Sequence, residues 1–363
     1  MDLKIASGSA NTEERQAVDS LLGAPQETSH GAQRDEMGMR VSTGGESLRK
    51  LRHLLLPTLH SVNDRVGYIS RGAINYISQR LDIAPAEIYG VATFYALFDT
   101  NERPARQVHV CVDLACRAAS GCTEDTLPEG AIPSPCLGTC ERAPSVLVIE
   151  TGVTVRQEVL APATKTQIAE LVAGKPAPAE QPIESAAPQT PDKSLVLLSR
   201  IGNTDPLSID DYISNSGFTA LRKAFAIGAE QVIAEVTASG LVGRGGAAFP
   251  TGRKWAAVAS QPVKTRYLIC NADESEPGTF KDRVLLEGDP FALVEAMTIA
   301  AFATGCEHGW IYLRGEYPRA LKNLTNAVEA ARSPAPNSAH FLDQKMHDIP
   351  ATVSGAARAV ADL

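Results

Sequence analysis

Long apolar runs, a surplus of basic residues and Cys-x-x-Cys pairs are all missing from this chain of 363 residues. No stretch approaches the roughly 20 consecutive apolar residues of a membrane-spanning helix, so direct membrane insertion is not expected. The N-terminal MDLKIASGSANTEERQ has no apolar core behind its basic residue and does not read as a secretory leader. Lys+Arg number 34 against 42 for Asp+Glu, a formal charge of −8. That is the wrong sign for gripping a phosphate backbone, so no nucleic acid partner is expected. The chain shows no internal repeats. What remains is a globular composition, 44% hydrophobic and 21% charged with a mean hydropathy of −0.09, and a length sufficient for two domains. A cytoplasmic, reducing setting follows as the default. There, seven cysteines suit metal ligation, catalysis or buried thiols better than disulfides.

Composition and periodicity predict an α/β protein in several segments. Residues 1–45 are polar, rich in Gly, Ser, Glu and Gln, and are predicted to be disordered. A first domain follows over 46–173. Leu48, Leu51, Leu54, Leu55 and Leu59 recur at threes and fours, predicting a helix. Further helices are expected over 71–82 and 84–98, strands at Val108–Val112 and Val146–Ile149, and a closing helix at Thr164–Ala173. Residues 174–193 (GKPAPAEQPIESAAPQTPDK) lack large apolar groups and read as a Pro/Ala-rich, semi-extended linker. A second domain over 194–333 is expected to open with a strand, LVLLSRIG. It should continue with helices over 217–226 and 229–238, a glycine-rich loop from Gly240 to Gly252, and the strand TRYLICNAD. A helix near 290–304, a strand at Trp310–Arg314 and a helix near 318–332 complete it. Alternating strands and helices suggest a layered α/β structure. Residues 334–363 form a divergent tail.

The first chemical signal is the set Cys111, Cys116, Cys136 and Cys140. It reads C-x4-C directly after a strand and C-x3-C in the loop SPCLGTCERAP. Four thiolates suit an iron–sulfur core. Structural zinc favours tighter C-x2-C pairs around one tetrahedral ion, and zinc is the competing reading here. Gly138, inside the second pair, allows the backbone to approach the sulfur atoms and donate N–H groups. Cys122 has no partner at a matching interval and reads as a free thiol; Cys270 and Cys306 read as small core residues. His109, on the same strand as Cys111, reads as a surface histidine.

The second signal is GLVGRGGAAFPTGRKW. Gly243, Arg244, Gly245, Gly246, Ala247 and Ala248 formally match G-x-G-x-x-G/A, but a helix precedes them where a dinucleotide fingerprint needs a strand. Lys254 lacks the glycine spacing of a Walker A loop. What remains is a loop whose backbone N–H groups can face a phosphate or a flavin ring, with Arg244 and Lys254 adding positive charge. The third is CNADESEPGTFKDR, which places Asn271, Asp273, Glu274 and Glu276 at the C-terminal end of a strand. α/β folds put ligand contacts there.

Taken together, GVATFYALF, VHVCVDLAC and PCLGTCERAP closely resemble the small iron–sulfur subunit of NADH dehydrogenases, over roughly residues 48–173. That family includes complex I and the NAD-linked formate dehydrogenases and hydrogenases. The resemblance implies a helical part and a thioredoxin-like sheet whose loops carry a [2Fe–2S] cluster on the four cysteines. The stretch from Cys116 to Cys136 is shorter than that family leads one to expect. The glycine-rich and acidic loops, with YLRGEY (Tyr312–Tyr317), resemble the flavin subunit of the same family from about Arg200 to Arg332. This implies FMN held by the glycine loop and by Asn271, Asp273 and Glu274. It further implies NAD(H) stacked over the flavin against Phe249, with Glu276 near the nicotinamide end. Ala248 stands where a glycine is expected, placing a methyl close to the nucleotide path. No side chain need act as an acid or base, so no catalytic residue is assigned.

The family's flavin subunit continues into a second glycine-rich segment and a helical domain with a [4Fe–4S] cluster. Neither is recognisable in residues 334–363, and no cysteine follows Cys306. The flavin half is therefore expected to be partial. The leading reading is a diaphorase-type subunit passing electrons between NAD(H), FMN and iron–sulfur clusters, partnered by other subunits of an NADH dehydrogenase, formate dehydrogenase or hydrogenase complex. Any association with a membrane would run through those subunits. The alternative is a truncated, non-catalytic [2Fe–2S] carrier or assembly module.

Overall fold

The computed structural model describes residues 8–25, 48, 50–179, 195–244, 246–263, 265–332 and 360–362. The main break between two compact units falls between Gln181 and Pro182.

The first unit opens with four helices: α1 (Thr12–Leu22), α2 (Leu55–Val66), α3 (Arg71–Leu81) and α4 (Pro85–Phe94). Helix α1 corrects the expectation of disorder over residues 1–45, at least for this stretch; residues 1–7 and 26–45 lie outside the described residues. Its start is fixed by a reciprocal capping box: the Asn11 side chain accepts from the Glu14 N–H at 2.9 Å, and the Glu14 carboxylate accepts from the Asn11 N–H at 2.8 Å. Ala17 and Val18 then pack with Leu59, Val62, Ile74 and Ile77. The Tyr76 hydroxyl donates to Asp19 at 2.8 Å, and Arg80 pairs with the same carboxylate. An isolated polar helix of this length is marginal in water, and burial of its short apolar face supplies what composition lacks.

After α4 come β1 (Arg106–Cys111), α5 (Leu114–Ser120), β2 (Ala131–Ser134), β3 (Val146–Glu150), β4 (Arg156–Leu160) and α6 (Lys165–Val172). The sheet order is β2-β1-β3-β4, with β1 parallel to β2 and antiparallel to β3, and β3 antiparallel to β4. Strand alternation sorts the side chains between two faces. Val108, Val110, Val146 and Val148 meet Ile168 and Leu171 of α6. Cys111, Leu147 and Ile149 face the other way, with Leu97, Cys116 and Leu137. His109 is on this second face and only 2% exposed, which overturns its reading as a surface histidine. Both faces of the sheet are covered, so every position of β1 after Arg106 is buried whichever way its side chain alternates. Burial holds the His109 imidazole well below its usual range, at about 4. Its Nε2 lies 3.2 Å from the Gln107 side-chain oxygen, and the Gln107 amide donates to the Gly67 carbonyl at 2.9 Å.

The second unit comprises α7 (Ile209–Ser214), α8 (Thr219–Ile227), α9 (Ala229–Ala238), α10 (Thr251–Ala259), β5 (Tyr267–Ala272), α11 (Lys281–Gly288), α12 (Pro290–Thr304), β6 (His308–Leu313), α13 (Pro318–Arg332) and β7 (Val360–Asp362). Strands β5 and β6 run parallel, joined through α11 and α12, and β7 pairs antiparallel with β6. Ala272, Ile311 and Leu313 pack on Leu286, Tyr317, Ala320 and Leu324. The strand expected at LVLLSRIG does not form. Those residues make turns, with Val196 82% and Leu197 71% exposed, because among the described residues no strand lies alongside to pair with them.

Helix α12 carries one buried carboxylate, Glu295. It accepts from the Tyr212 hydroxyl at 2.5 Å, the Phe218 N–H at 2.7 Å and the Leu221 N–H at 2.9 Å. It therefore caps α8 from a neighbouring element, and leaving those donors without an acceptor is expensive. Replacing Glu295 with Leu is expected to destabilise the second unit by about 3 kcal/mol, measured as a fall in its urea midpoint, while Glu329→Leu on an exposed face is neutral. An unchanged midpoint in E295L would show that water substitutes for the carboxylate.

Candidate functional site

The fold brings the four predicted cysteines together. Cys111 ends β1, Cys116 lies in α5, and Cys136 and Cys140 come from the loop after β2. Cys136 and Cys140 have their sulfurs 3.3 Å apart. Cys111 is within hydrogen-bonding reach of both Cys116 and Cys136. The thiols thus touch as a linked series, Cys116–Cys111–Cys136–Cys140. Among the described residues no group of three or more His, Cys, Asp or Glu side chains is placed to hold a single metal ion. A two-iron core takes two thiolates at each iron, and the touching pairs Cys111–Cys116 and Cys136–Cys140 supply that number.

Asp113 fastens the two cysteine loops. One carboxylate oxygen accepts from the Leu114 N–H at 2.7 Å, capping α5, and the other accepts from the Cys136 N–H at 3.2 Å. Gly138 has φ +75°, a left-handed conformation suited to glycine, and its N–H points at the Cys136 sulfur at 3.4 Å. Backbone N–H groups of Asp113 and Ser145 are directed at Cys111 and Cys116. Hydrogen bonding to Cys116 pushes the Cys111 thiol up to about 11, and burial pushes Cys140 up to about 11. The bond to Cys111, then burial, also raises Cys136. The hydrogen bond from Cys111 lowers Cys116. Four crowded, largely buried sulfurs with N–H groups aimed at them need a cation before all can be thiolates, so the donor set fits a metal–sulfur group. Of the remaining cysteines, Cys122 and Cys306 are buried and Cys270 is half-buried. Cys306 lies 3.1 Å from the Thr304 hydroxyl.

The predicted glycine-rich loop is a closed excursion. An antiparallel bridge pairs Val242 with Pro250, the Gly243 N–H donates to the Phe249 carbonyl at 2.9 Å, and the Thr251 N–H to Leu241 at 2.9 Å. Gly243, Arg244, Gly246 and Phe249 are exposed, as is Lys254 in the first turn of α10; Gly245 lies outside the described residues. Gly252 anchors the far end, where an added Cβ would lie 2.6 Å from the Thr237 Cα. Ala248 has φ +44°. The left-handed conformation explains why glycine is the expected residue there, since a Cβ strains it. Ala248→Gly is expected to stabilise the second unit by about 0.5–1 kcal/mol by releasing this strain, offset in part by a floppier unfolded chain. A rise in its thermal midpoint checks this; a fall would mean the alanine conformation is unstrained.

In the acidic loop the predicted residues separate. Asn271, Asp273 and Glu276 are exposed, whereas Glu274 is 2% exposed. The Glu274 carboxylate accepts from the N–H groups of Asp282 (2.8 Å) and Arg283 (3.0 Å), capping α11, and its backbone carbonyl accepts from Arg314 and from the Tyr317 hydroxyl. Sequence reasoning grouped Glu274 with the ligand-facing acids; the structure ties it inward as the loop's anchor. Arg314 and Tyr317, both buried, are the supporting residues missed from sequence. The only signal for them was the YLRGEY motif, which carried no stated role for either. Asp113 was missed likewise, although its place two residues after Cys111 and just before a helix is an N-cap signature.

Comparison with known proteins matches these two regions separately. Residues 45–128 match the family described as thioredoxin-like [2Fe-2S] ferredoxin, a span that includes Cys111 and Cys116 and stops short of Cys136 and Cys140. Residues 236–360 match the Nuo51 FMN-binding domain, which takes in both ligand loops and continues beyond Arg332. The chain is 47% identical over 137 residues to a subunit of the NADH-quinone oxidoreductase of Aquifex aeolicus, covering 38% of this chain and 32% of that protein. It is 46% identical over 148 residues to the NADP-reducing hydrogenase subunit HndC of Solidesulfovibrio fructosivorans, covering 40% and 30%. Over 303 residues it is 32% identical to the alpha subunit of the NAD-reducing hydrogenase HoxS of Cupriavidus necator, covering 77% and 49%. The crystal structure of an air-oxidised NAD+-reducing [NiFe]-hydrogenase superimposes with a TM-score of 0.57 at 28% identity, covering 77% of this chain and 49% of that one. The chain thus spans from about a third to half the length of these relatives. Among the described residues no helix is long and apolar enough to cross a membrane. The chain joins a thioredoxin-like [2Fe–2S] domain to the N-terminal part of an FMN-binding domain and matches the flavin-subunit family of NADH dehydrogenases and NAD(P)-linked hydrogenases.

Proposed function

We propose that this chain is a diaphorase-type electron-transfer subunit, relaying electrons between NAD(H), FMN and a [2Fe–2S] cluster within a larger NADH dehydrogenase, formate dehydrogenase or hydrogenase assembly. The observation that carries the reading is the convergence of Cys111 from the end of β1, Cys116 from α5, and Cys136 and Cys140 from the segment after β2, with backbone N–H groups directed at their sulfurs. These thiolates would hold the cluster. Asp113 keeps the two pairs in register, and the buried β1–β3 face excludes water from behind them. The backbone of Gly243, Gly245 and Gly246, with Arg244 and Lys254, would hold the flavin phosphate and ring, and Asn271 and Asp273 its hydroxyl-bearing chain. Glu274 would act by fixing the loop that presents them. Phe249 would offer a stacking surface to the nicotinamide nucleotide, with Glu276 at the nicotinamide end. Flavin, when bound, converts a two-electron hydride into the single electrons that iron–sulfur centres accept.

A second reading, a [2Fe–2S] carrier or assembly module without flavin turnover, is favoured by one contrast. Three of the four cysteines are buried and Cys140 is half-buried, while Arg244, Phe249, Asn271, Asp273 and Glu276 are all exposed. Anaerobic purification with assays for iron, sulfide, zinc and FMN separates the possibilities. Two irons and two sulfides per chain with bound FMN is the expected result. Iron without FMN would leave only the carrier, and zinc alone would overturn both. In the C136S and C140S variants, iron content is expected to fall by at least half. C122S is expected to retain full iron.

A further inference from the structure

The groove beside Phe249 carries charges of one sign. It has a volume of ≈ 440 Å³, within the range of small-ligand pockets. Helix α10 contributes Lys254, Ala257 and Val258 to its lining, together with Phe249, Val263 and Arg266. Among the described residues its lining includes no carboxylate. Arg266 is committed to the protein itself, donating to the carbonyls of Gln261 (2.6 Å), Thr304 (2.7 Å) and Val263 (2.9 Å). Phe249 remains 51% exposed, an open aromatic platform. The Arg253 guanidinium sits over that ring, 5.6 Å from its centroid. Among the described residues neither Arg253 nor Lys254 makes an ion pair. A guanidinium held by a ring rather than by a carboxylate keeps its fork of N–H donors free for an incoming anion.

We infer that this groove selects a 2′-phosphorylated adenine nucleotide, NADP(H) over NAD(H), with Arg253 as the phosphate fork beside an adenine stacked on Phe249. The inference rests on the proposal above that the nicotinamide nucleotide lies against Phe249, and it sharpens which dinucleotide is meant. Sites for an unphosphorylated ribose place a carboxylate to accept from the 2′-hydroxyl, which also repels a 2′-phosphate; an arginine does the reverse. The Arg253 guanidinium, over the Phe249 ring at the edge of the groove, is the cation placed for that role. Lys254 is assigned above to the flavin, so the planar fork of Arg253 by itself supplies the bidentate geometry that distinguishes a phosphate from a hydroxyl.

Calorimetric titration of the full chain with 5′-AMP, ADP and 2′,5′-ADP at one ionic strength tests this without requiring bound flavin or turnover. The expected result is 2′,5′-ADP binding at least about tenfold tighter than either 5′-AMP or ADP, as a charge-assisted pair affords. Arg253→Leu should bring that ratio close to one while 5′-AMP binding changes by no more than about threefold, and Arg253→Lys should retain only part of it. Unchanged far-UV circular dichroism and cluster absorption in both variants establish that they fold. Equal affinity for ADP and 2′,5′-ADP would assign the cations to the pyrophosphate common to both dinucleotides and overturn the inference. So would a full ratio in R253L or in R253K. Failure of all three ligands to bind would overturn the nucleotide site itself together with its specificity, leaving the cysteine site standing.

Discussion

The Asp113 carboxylate takes one N–H from the start of α5 and one from Cys136, and the geometry of the metal-binding half depends on that shared acceptor. Cys111 and Cys116 are fixed by a strand end and a short helix. Cys136 and Cys140 sit in a loop whose backbone would otherwise be free to drift. A carboxylate with one oxygen engaged by the helix and the other by the loop binds loop to helix, and the left-handed Gly138 turns the loop so that its N–H meets sulfur. Negative charge on four sulfurs is then opposed by backbone dipoles already in place, which is what preorganisation means for a metal–thiolate centre.

The second unit uses the same device twice. Glu274 accepts two backbone N–H groups at the start of α11, and Glu295 accepts two at the start of α8 along with the Tyr212 hydroxyl. A carboxylate at a helix N-terminus answers both the orphan N–H groups and the positive end of the dipole. The acids beside Glu274, namely Asp273 and Glu276, are left facing solvent because the anchor has taken the loop's inward position. Anchoring and presentation are thus divided among neighbouring residues of like chemistry.

The two candidate sites differ in state. The thiols of Cys111, Cys116 and Cys136 are buried and that of Cys140 is half-buried. The glycine-rich loop, closed by the Val242–Pro250 bridge, holds its shape yet presents Arg244, Gly246 and Phe249 outward. A ligand seated there would meet a formed backbone cradle but few enclosing side chains.

Sequence alone identified the chemistry. Cysteine spacing, glycine density and the acid-rich loop are local patterns, and local patterns survive without knowledge of the fold. It also located most helices and strands, because apolar periodicity is written along the chain. Tertiary structure decided what depends on neighbours far away in sequence. A polar segment became α1 because α2 and α3 offered its short apolar face a place to pack. LVLLSRIG stayed in turns because no described strand runs beside it. His109 went inside because helices and loops cover both faces of its sheet. Glu274 became an anchor while Asp273 and Glu276 did not, since only one of three adjacent acids can meet the start of α11. Residue type set what each group was able to do, and packing decided which of them face a ligand.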